Sequence, residues 1–296
     1  MRCLGCIKVF RHISLQVVVG CGTHHMMHVP PHADCSTLLE TAVQAARAAG
    51  LVLGEHARSG FRIEYKAAIN LVTDADRRAE DCIVQTLLAA YPSHSILAEE
   101  RGRGGTANSR YQWIIDPLDG TTNFAHGFPF YSVSIGLEYD GTCILCVVLD
   151  PVRQELFTAI VGWGAHMNGE LLRVSTTGDL DKSLLVTGFS YNIRETQHNN
   201  LDHFARISLR AQAVRRTGSA ALDLCYVAAG RFDGYWEVTL SPWDMAAGTV
   251  IVREAGGLVS GFTKGEFSLY GQELVATNGH IHNELLNALQ PRSDNP

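Results

Sequence analysis

The sequence predicts a layered α/β fold, and three observations predict it. Apolar residues recur at helical spacing in some stretches and alternate, or run on unbroken, in others, so helices and strands take turns along the chain. No repeat and no low-complexity linker divides it. The length of 296 residues suits one large domain or two coupled halves, at about 150 residues per domain.

The elements follow in order. Thr37-Leu-Leu-Glu40 reads as a capping box, and Leu39, Val43, Ala46 and Ala49 continue at helical spacing. A second helix starts near Thr73-Asp74-Ala75-Asp76, buries Ala79, Ile83, Leu87 and Ala90, and stops at Pro92. From Trp113 the period shifts to strands: Trp113-Ile-Ile115, then Val133, Ile135 and Leu137, then Cys143 to Leu149 and Glu155 to Val161. Asn168-Gly169 is a hairpin turn. Ser183 to Thr187 and Ala213 to Arg215 read as strands, Ala220 to Ala229 as a helix with a small-residue face, and Asp233 to Glu237 as a strand. A helix opens at Asp244 and closes at Gly256-Gly257; Leu274-Val-Ala276 is the last strand and Asn283 to Leu289 the last helix. The expected division is a leader over 1–34, an N-terminal half over 35–168 and a C-terminal half over 169–296.

Composition excludes several classes. Hydrophobic residues make up 46% and charged residues 18%, which excludes disorder as the main state. Lys plus Arg number 24 against 30 Asp plus Glu, a formal charge of -6. That balance gives no general pull toward nucleic acid or acidic membranes, and neither is expected as a partner. An anionic substrate would need local help from a bound cation or a helix N-terminus. The eight cysteines are too sparse for a disulfide scaffold. Cys143 and Cys146 sit three apart on a predicted strand and are expected on opposite faces. Cys3 and Cys6 have no second pair at zinc-ribbon spacing.

The leader differs from the rest. It carries Arg2, Lys8 and Arg11, a cluster of His24, His25, His28 and His32, and a short apolar run over Ile13 to Val19. Val18-Val-Gly-Cys21 resembles a lipoprotein cleavage box, but the run is interrupted by Ser14 and Gln16 and too short to span a membrane. A disordered extension, or a true start at Met26 or Met27, is expected, with the cytoplasm as the compartment.

Four acidic clusters stand at the ends of predicted elements: Asp74 and Asp76, Glu99-Glu100, Asp116 and Asp119, and Asp244. Singly, each has a structural explanation as a helix cap, first-turn acid, solvated face or turn residue. The stretch from Asp116 to Phe124 is different. A strand delivers Asp116 into a turn, Asp119 follows, and Gly120-Thr121-Thr122-Asn123 opens the backbone. Two carboxylates there can bridge hard divalent cations, Gly120 lets N–H groups approach an anion, and Thr121 can orient a water.

Trp113-Ile-Ile-Asp-Pro-Leu-Asp-Gly-Thr-Thr-Asn-Phe124 resembles the signature of the inositol monophosphatase family, magnesium-dependent and lithium-sensitive phosphatases. Pro242-Trp-Asp-Met-Ala-Ala-Gly248 resembles the second signature. Asn70 to Asp76, Ile96 to Glu100, Gly164 to Gly169 and Gly218-Ser-Ala220 match in the same order, so the resemblance covers roughly residues 36–290. It implies a layered αβαβα sandwich, a homodimer and two or three magnesium ions. By position it implies that Glu99, Asp116, Asp119, Asp244 and the carbonyl of Leu118 ligate the metals. Asp76 and Thr121, with Glu99 nearby, match the pair that activates water, and Asp74 is left as a cap. Backbone groups of Asp119, Gly120 and Thr121 would hold the phosphate. Gly218, Ser219, Ala220, Glu237 and Asp244 match positions that contact a hydroxyl-bearing ring, and Lys66 a basic residue at the site's edge.

The departures are small: Ala98 where the family often has Gly, and Ser219 where some members have Thr. Asn123-Phe124 resembles the inositol phosphatase branch. The expected substrate is a small phosphorylated polyol, most directly inositol 1-phosphate. Fructose-1,6-bisphosphate, histidinol-phosphate and nucleotide-bisphosphate phosphatases stay open, as does a regulatory binding protein on this scaffold. Substrate choice is expected to lie around Tyr191, Arg215 and Glu237.

Overall fold

The computed structural model describes residues 32–65, 71–263 and 267–290. Most of the leader and Lys66 therefore lie outside the described residues. The helices are α1 (His32–Ser59), α2 (Asp74–Ala90), α3 (Thr121–Ala125), α4 (Leu201–Ser208), α5 (Ala220–Ala228), α6 (Pro242–Glu254) and α7 (His282–Leu289). The strands of the first half are β1 (Ile63–Tyr65), β2 (Leu71–Thr73), β3 (Ser95–Ala98), β4 (Gly102–Gly105), β5 (Tyr111–Asp119), β6 (Ser132–Tyr139), β7 (Thr142–Asp150), β8 (Glu155–Ile160), β9 (Gly164–Met167) and β10 (Glu170–Leu171). Those of the second are β11 (Leu184–Thr187), β12 (Ala213–Arg215), β13 (Gly234–Val238), β14 (Leu258–Ser260) and β15 (Glu273–Thr277).

Among the described residues, β1 and β2 form a small ribbon, and two larger sheets form the frame. One has eight strands in the order β10-β9-β8-β7-β6-β5-β3-β4, antiparallel except for the β3–β5 pair. The other has five in the order β12-β11-β13-β15-β14, with β11 parallel to both its neighbours. Helices α1 and α2 cover one face of the large sheet, burying Leu53, Ile83 and Leu87 against Trp113, Ile115 and Val147. Helices α5 and α6 fill the space between the sheets, where Leu222, Val227 and Ile251 meet Val148, Phe157 and Tyr235. Helices α4 and α7 close the far side, with Ile207, Leu285 and Leu289 packed on Leu185, Trp236 and Val275. The result is the αβαβα sandwich. Strand alternation builds it: Tyr235 faces α5 and α6, while Trp236, one residue on, faces α7.

Three local expectations change. Helix α1 begins at His32, so Thr37 lies inside it and caps nothing; its carbonyl accepts the Thr41 hydroxyl at 2.9 Å. The Cys143–Cys146 stretch is a strand, but a bulge shifts its register against β6. Cys143 then pairs with Glu138 and Cys146 with Gly136, so both thiols share one face, against the alternation expected of an unbroken strand. Both remain free thiols. Third, α6 starts at Pro242 after Ser241, two residues before Asp244. The hairpin turn holds as expected, with Asn168 and Gly169 both at positive φ (51° and 87°).

Candidate active site

The end of β5 is the centre of the site. Asp116 is buried, and its Oδ1 accepts the Leu118 N–H at 3.0 Å, which curls the chain into the turn. Gly120 follows at φ 98°, and a Cβ there would stand 3.1 Å from the Phe130 carbonyl and 3.2 Å from that of Gly218. Only glycine combines this conformation with so close an approach. Asn123 ties the turn to the second half of the molecule, donating its amide to the carbonyls of Phe130 (2.7 Å) and Thr217 (2.8 Å).

Asp119, also buried, points across to the start of α5. It accepts the Ala221 N–H at 2.8 Å, the Ala220 N–H at 3.2 Å, and the hydroxyls of Ser219 and Ser132. The carboxylate thus occupies the positive end of that helix. Glu99 follows β3, and its N–H bonds the Ile115 carbonyl at 3.1 Å, in line with the parallel β3–β5 pairing. The turn beyond it is anchored by buried Glu80 of α2, which accepts the Glu100 N–H at 2.9 Å and Arg101 Nε at 2.8 Å. Asp244 is half-buried in the first turn of α6 and accepts the Ser241 N–H at 2.7 Å. It is therefore not the N-cap but the acid reaching back to it. Asp76 does the same in α2: the N-cap is Thr73, whose N–H bonds Asp76 Oδ2 at 2.8 Å. Asp74 is not the cap either; it accepts the Arg62 N–H at 2.9 Å.

These acids raise one another. Burial pushes Asp116 well above the usual carboxylate range, and the charges of Glu99, Asp119 and Asp244 add to it. Asp244 is pushed up by burial, then by Asp119 and Glu99. Asp119 is raised by burial against the opposing pull of its four donors. Asp76, raised to about 6 by burial, bonds the Thr121 hydroxyl, which lies 3.1 Å from its Oδ1 and 3.0 Å from the Leu118 carbonyl.

A cavity of about 490 Å³ opens above this cluster. Glu99, Asp119, Gly120, Gly218, Ser219, Ala220, Glu237 and Asp244 line it. Asp76, Asp116, Leu118 and Thr121 lie outside its lining, buried in the structure. Ser219 and Ala220 turn their hydroxyl and N–H to Asp119. Tyr191 and Glu237 line the wall, but Arg215 does not; it lies exposed on β12, and Arg216 is the residue that reaches the cavity. Burial raises Glu237, against the Tyr235 hydrogen bond and the Arg216 charge, to about 7, and Arg216 stands 5.6 Å over the Phe189 ring. The sequence reading missed Ser132, Ala221, Asp223 and Arg216. Ala221 and Asp223 lie in α5 beside a matched motif, so the small-residue helix start was a usable signal; for Ser132 there was none.

The donor set is oxygen only, which fits a hard divalent cation. Carboxylates that lift one another's pKa in a buried site are stabilised by such a charge. Among the described residues, no three His, Cys, Asp or Glu side chains close into a cage of their own. Magnesium does not require one, because it keeps several of its waters.

The sequence profile of the inositol monophosphatase family matches residues 34–294. The chain is similar to the inositol-1-monophosphatase of a Synechocystis species, with 49% identity over 87% of this chain and 90% of that one. It is also similar to the Nus factor SuhB of Pseudomonas aeruginosa, with 48% identity over 86% of this chain and 96% of the relative. Among solved structures, the inositol monophosphatase of an Anabaena (Nostoc) species superposes with a TM-score of 0.79 at 44% identity, over 86% of this chain and 96% of that one. Fold, acidic site and sequence lead to one assignment: the chain belongs to the inositol monophosphatase family, a family of metal-dependent phosphatases.

Proposed function

We propose that this protein hydrolyses the phosphate monoester of a small polyol, inositol 1-phosphate first among them, with magnesium as cofactor and water as nucleophile. One observation carries the reading: Asp116, Asp119, Asp244 and Glu99 crowd into electrostatic contact beside a polar cavity, with the Asp76–Thr121 pair next to them. Glu99, Asp116, Asp119, Asp244 and the Leu118 carbonyl are the ligands of two or three magnesium ions. Bound magnesium supplies the positive charge that neutralises phosphate oxygens and lowers the pKa of water.

The chain's own groups do the rest. Thr121 Oγ orients the water, and Asp76, with a pKa near 6, accepts its proton, Glu99 standing by. The bare backbone at Gly120, with Asp119 and Thr121, receives the phosphate. Glu237, Asp244 and Gly218 face the alcohol's hydroxyl groups. Ser219 and Ala220 shape that wall and act on the site through Asp119. The name of the Synechocystis relative supports inositol 1-phosphate as the substrate. Resemblance to the family supports a homodimer, lithium sensitivity and the cytoplasm as the compartment. Among the described residues, no helix is long and apolar enough to cross a membrane.

A second reading has its own support. The Pseudomonas relative is called a Nus factor, so a regulatory protein partner beside the catalytic role is proposed as well. Phosphate release from inositol 1-phosphate, fructose 1,6-bisphosphate, histidinol phosphate and adenosine bisphosphate, with magnesium and with added lithium, tests the first reading. The proposal expects the fastest turnover on inositol 1-phosphate and inhibition by lithium. Absence of release from all four contradicts it and favours the second.

A further inference from the structure

Glu237 enters the cavity from β13, and its neighbours fix where the carboxylate sits. Tyr235, two residues earlier on the same face of the strand, donates its hydroxyl to Oε2 at 2.6 Å. Gly188, just past β11 in the adjacent strand position, lies directly against the carboxylate. A Cβ there would stand 2.1 Å from Oε2 and 2.4 Å from Cδ and Oε1. That wall is itself held: Asn200 Nδ2 donates to the Gly188 carbonyl at 2.7 Å and to Thr187 Oγ1 at 2.8 Å. Arg216, Asp119, Asp223 and Asp244 are the other charged groups in electrostatic reach of Glu237.

Tyr235 is fully buried among the side chains between the two sheets and does not line the cavity. A phenylalanine would fill the same space, so packing alone does not call for the hydroxyl. A buried phenol needs an acceptor, and this one is given a carboxylate of the cavity wall.

We infer that Tyr235 is a positioning residue for substrate choice: its hydroxyl and the bare face of Gly188 clamp Glu237 in one orientation. Oε2 is engaged by the phenol, and Oε1 is left to accept a hydroxyl of the leaving alcohol. The clamp selects polyhydroxylated alcohols over alcohols with no second hydroxyl, because a site built to bond a substrate hydroxyl discriminates strongly against its absence. This rests on the phosphatase reading and deepens it.

The test compares two esters with the full-length protein at saturating magnesium: inositol 1-phosphate, and p-nitrophenyl phosphate, whose alcohol has no second hydroxyl. Tyr235→Phe is expected to raise KM for inositol 1-phosphate about tenfold, the scale of one weakened hydrogen bond to a charged group, with kcat within about twofold. Both constants for p-nitrophenyl phosphate should stay at the wild-type level. Gly188→Ala, whose methyl group would occupy the carboxylate's place and drive it aside, should raise the same KM and carries the test if Tyr235→Phe does not fold. An unchanged KM ratio between the two esters overturns the inference, as does an equal loss on both, which marks a merely structural role. Wild-type protein that hydrolyses neither ester overturns the phosphatase reading and this inference with it.

Discussion

The hydroxyl of Thr121 stands between two acceptors, 3.1 Å from Asp76 Oδ1 and 3.0 Å from the Leu118 carbonyl. It has one proton to give; a protonated Asp76 can donate to its lone pairs, and only the ionised acid can take up a proton from it or from a water it orients. The pair can therefore move a proton only while Asp76 is ionised. With Asp76 at about 6, turnover should fall as pH drops through 6. Thr121→Ala and Asp76→Asn should each lower kcat about 10²–10⁴-fold, and Asp76→Asn should abolish that acid limb. Steady-state kinetics between pH 5 and 8 check it.

Ser219 and Asp119 couple the acidic cluster to α5. The serine hydroxyl donates to Asp119 Oδ2 and also accepts the Leu222 N–H at 3.4 Å, as the N-cap of the helix. Ser219→Ala removes both bonds. The lost cap should destabilise the protein by about 1 kcal/mol. Loss of the donor behind the carboxylate proposed to ligate magnesium should raise the half-saturating magnesium concentration about 10–100-fold. Calorimetric titration with magnesium measures the second effect apart from catalysis.

Magnesium should stabilise the protein more at pH 8 than at pH 6. Asp116, Asp119 and Asp244 have pKa values raised by burial, the first and last also by their neighbours' charges. The native state without metal therefore binds more protons than the unfolded chain, and these groups destabilise it increasingly as pH rises. A cation replaces those protons and relieves the repulsion. Thermal melts with and without magnesium at the two pH values check the difference.

His94 gives the opposite sign away from the site. Its ring is stacked between Tyr91 (4.8 Å) and Tyr111 (4.5 Å), is 6% exposed, and its Nδ1 has no hydrogen-bond partner. Burial pushes its pKa down to about 4. The unfolded chain takes up this proton near pH 6.5 and the native state only near 4, so stability is lost as pH falls between the two. His94→Phe keeps the stack and should flatten that part of the pH–stability curve relative to wild type.

Much of this was legible because the cues were local. The capping residues around Asp76, the Asn168-Gly169 turn and the Asp116–Asn123 turn each state their conformation within a few residues. The short strands Gly102–Gly105 and Gly164–Met167 escaped notice, because they are stabilised by sheet neighbours rather than by their own pattern. The bulge that turns Cys143 to the side of Cys146 is set by the pairing of β6 with β7, which no periodicity encodes. Arg216 was missed in favour of Arg215 for a similar reason. At the end of a three-residue strand, the face that meets the cavity depends on the chain's exit into Thr217-Gly218. Ser132 lies beside Asp119 because β5 pairs with β6 across an irregular register, which no local pattern encodes.

Asp116 tests the account most directly, since it lies buried at the centre of the acidic cluster and is raised by all three of the other acids. Asp116→Asn keeps the size of the side chain and an oxygen for the Leu118 N–H, so circular dichroism and the melting profile should show an intact fold. Magnesium-dependent phosphate release from inositol 1-phosphate should fall to background. Release near the wild-type rate from the folded variant would contradict the metal-site assignment.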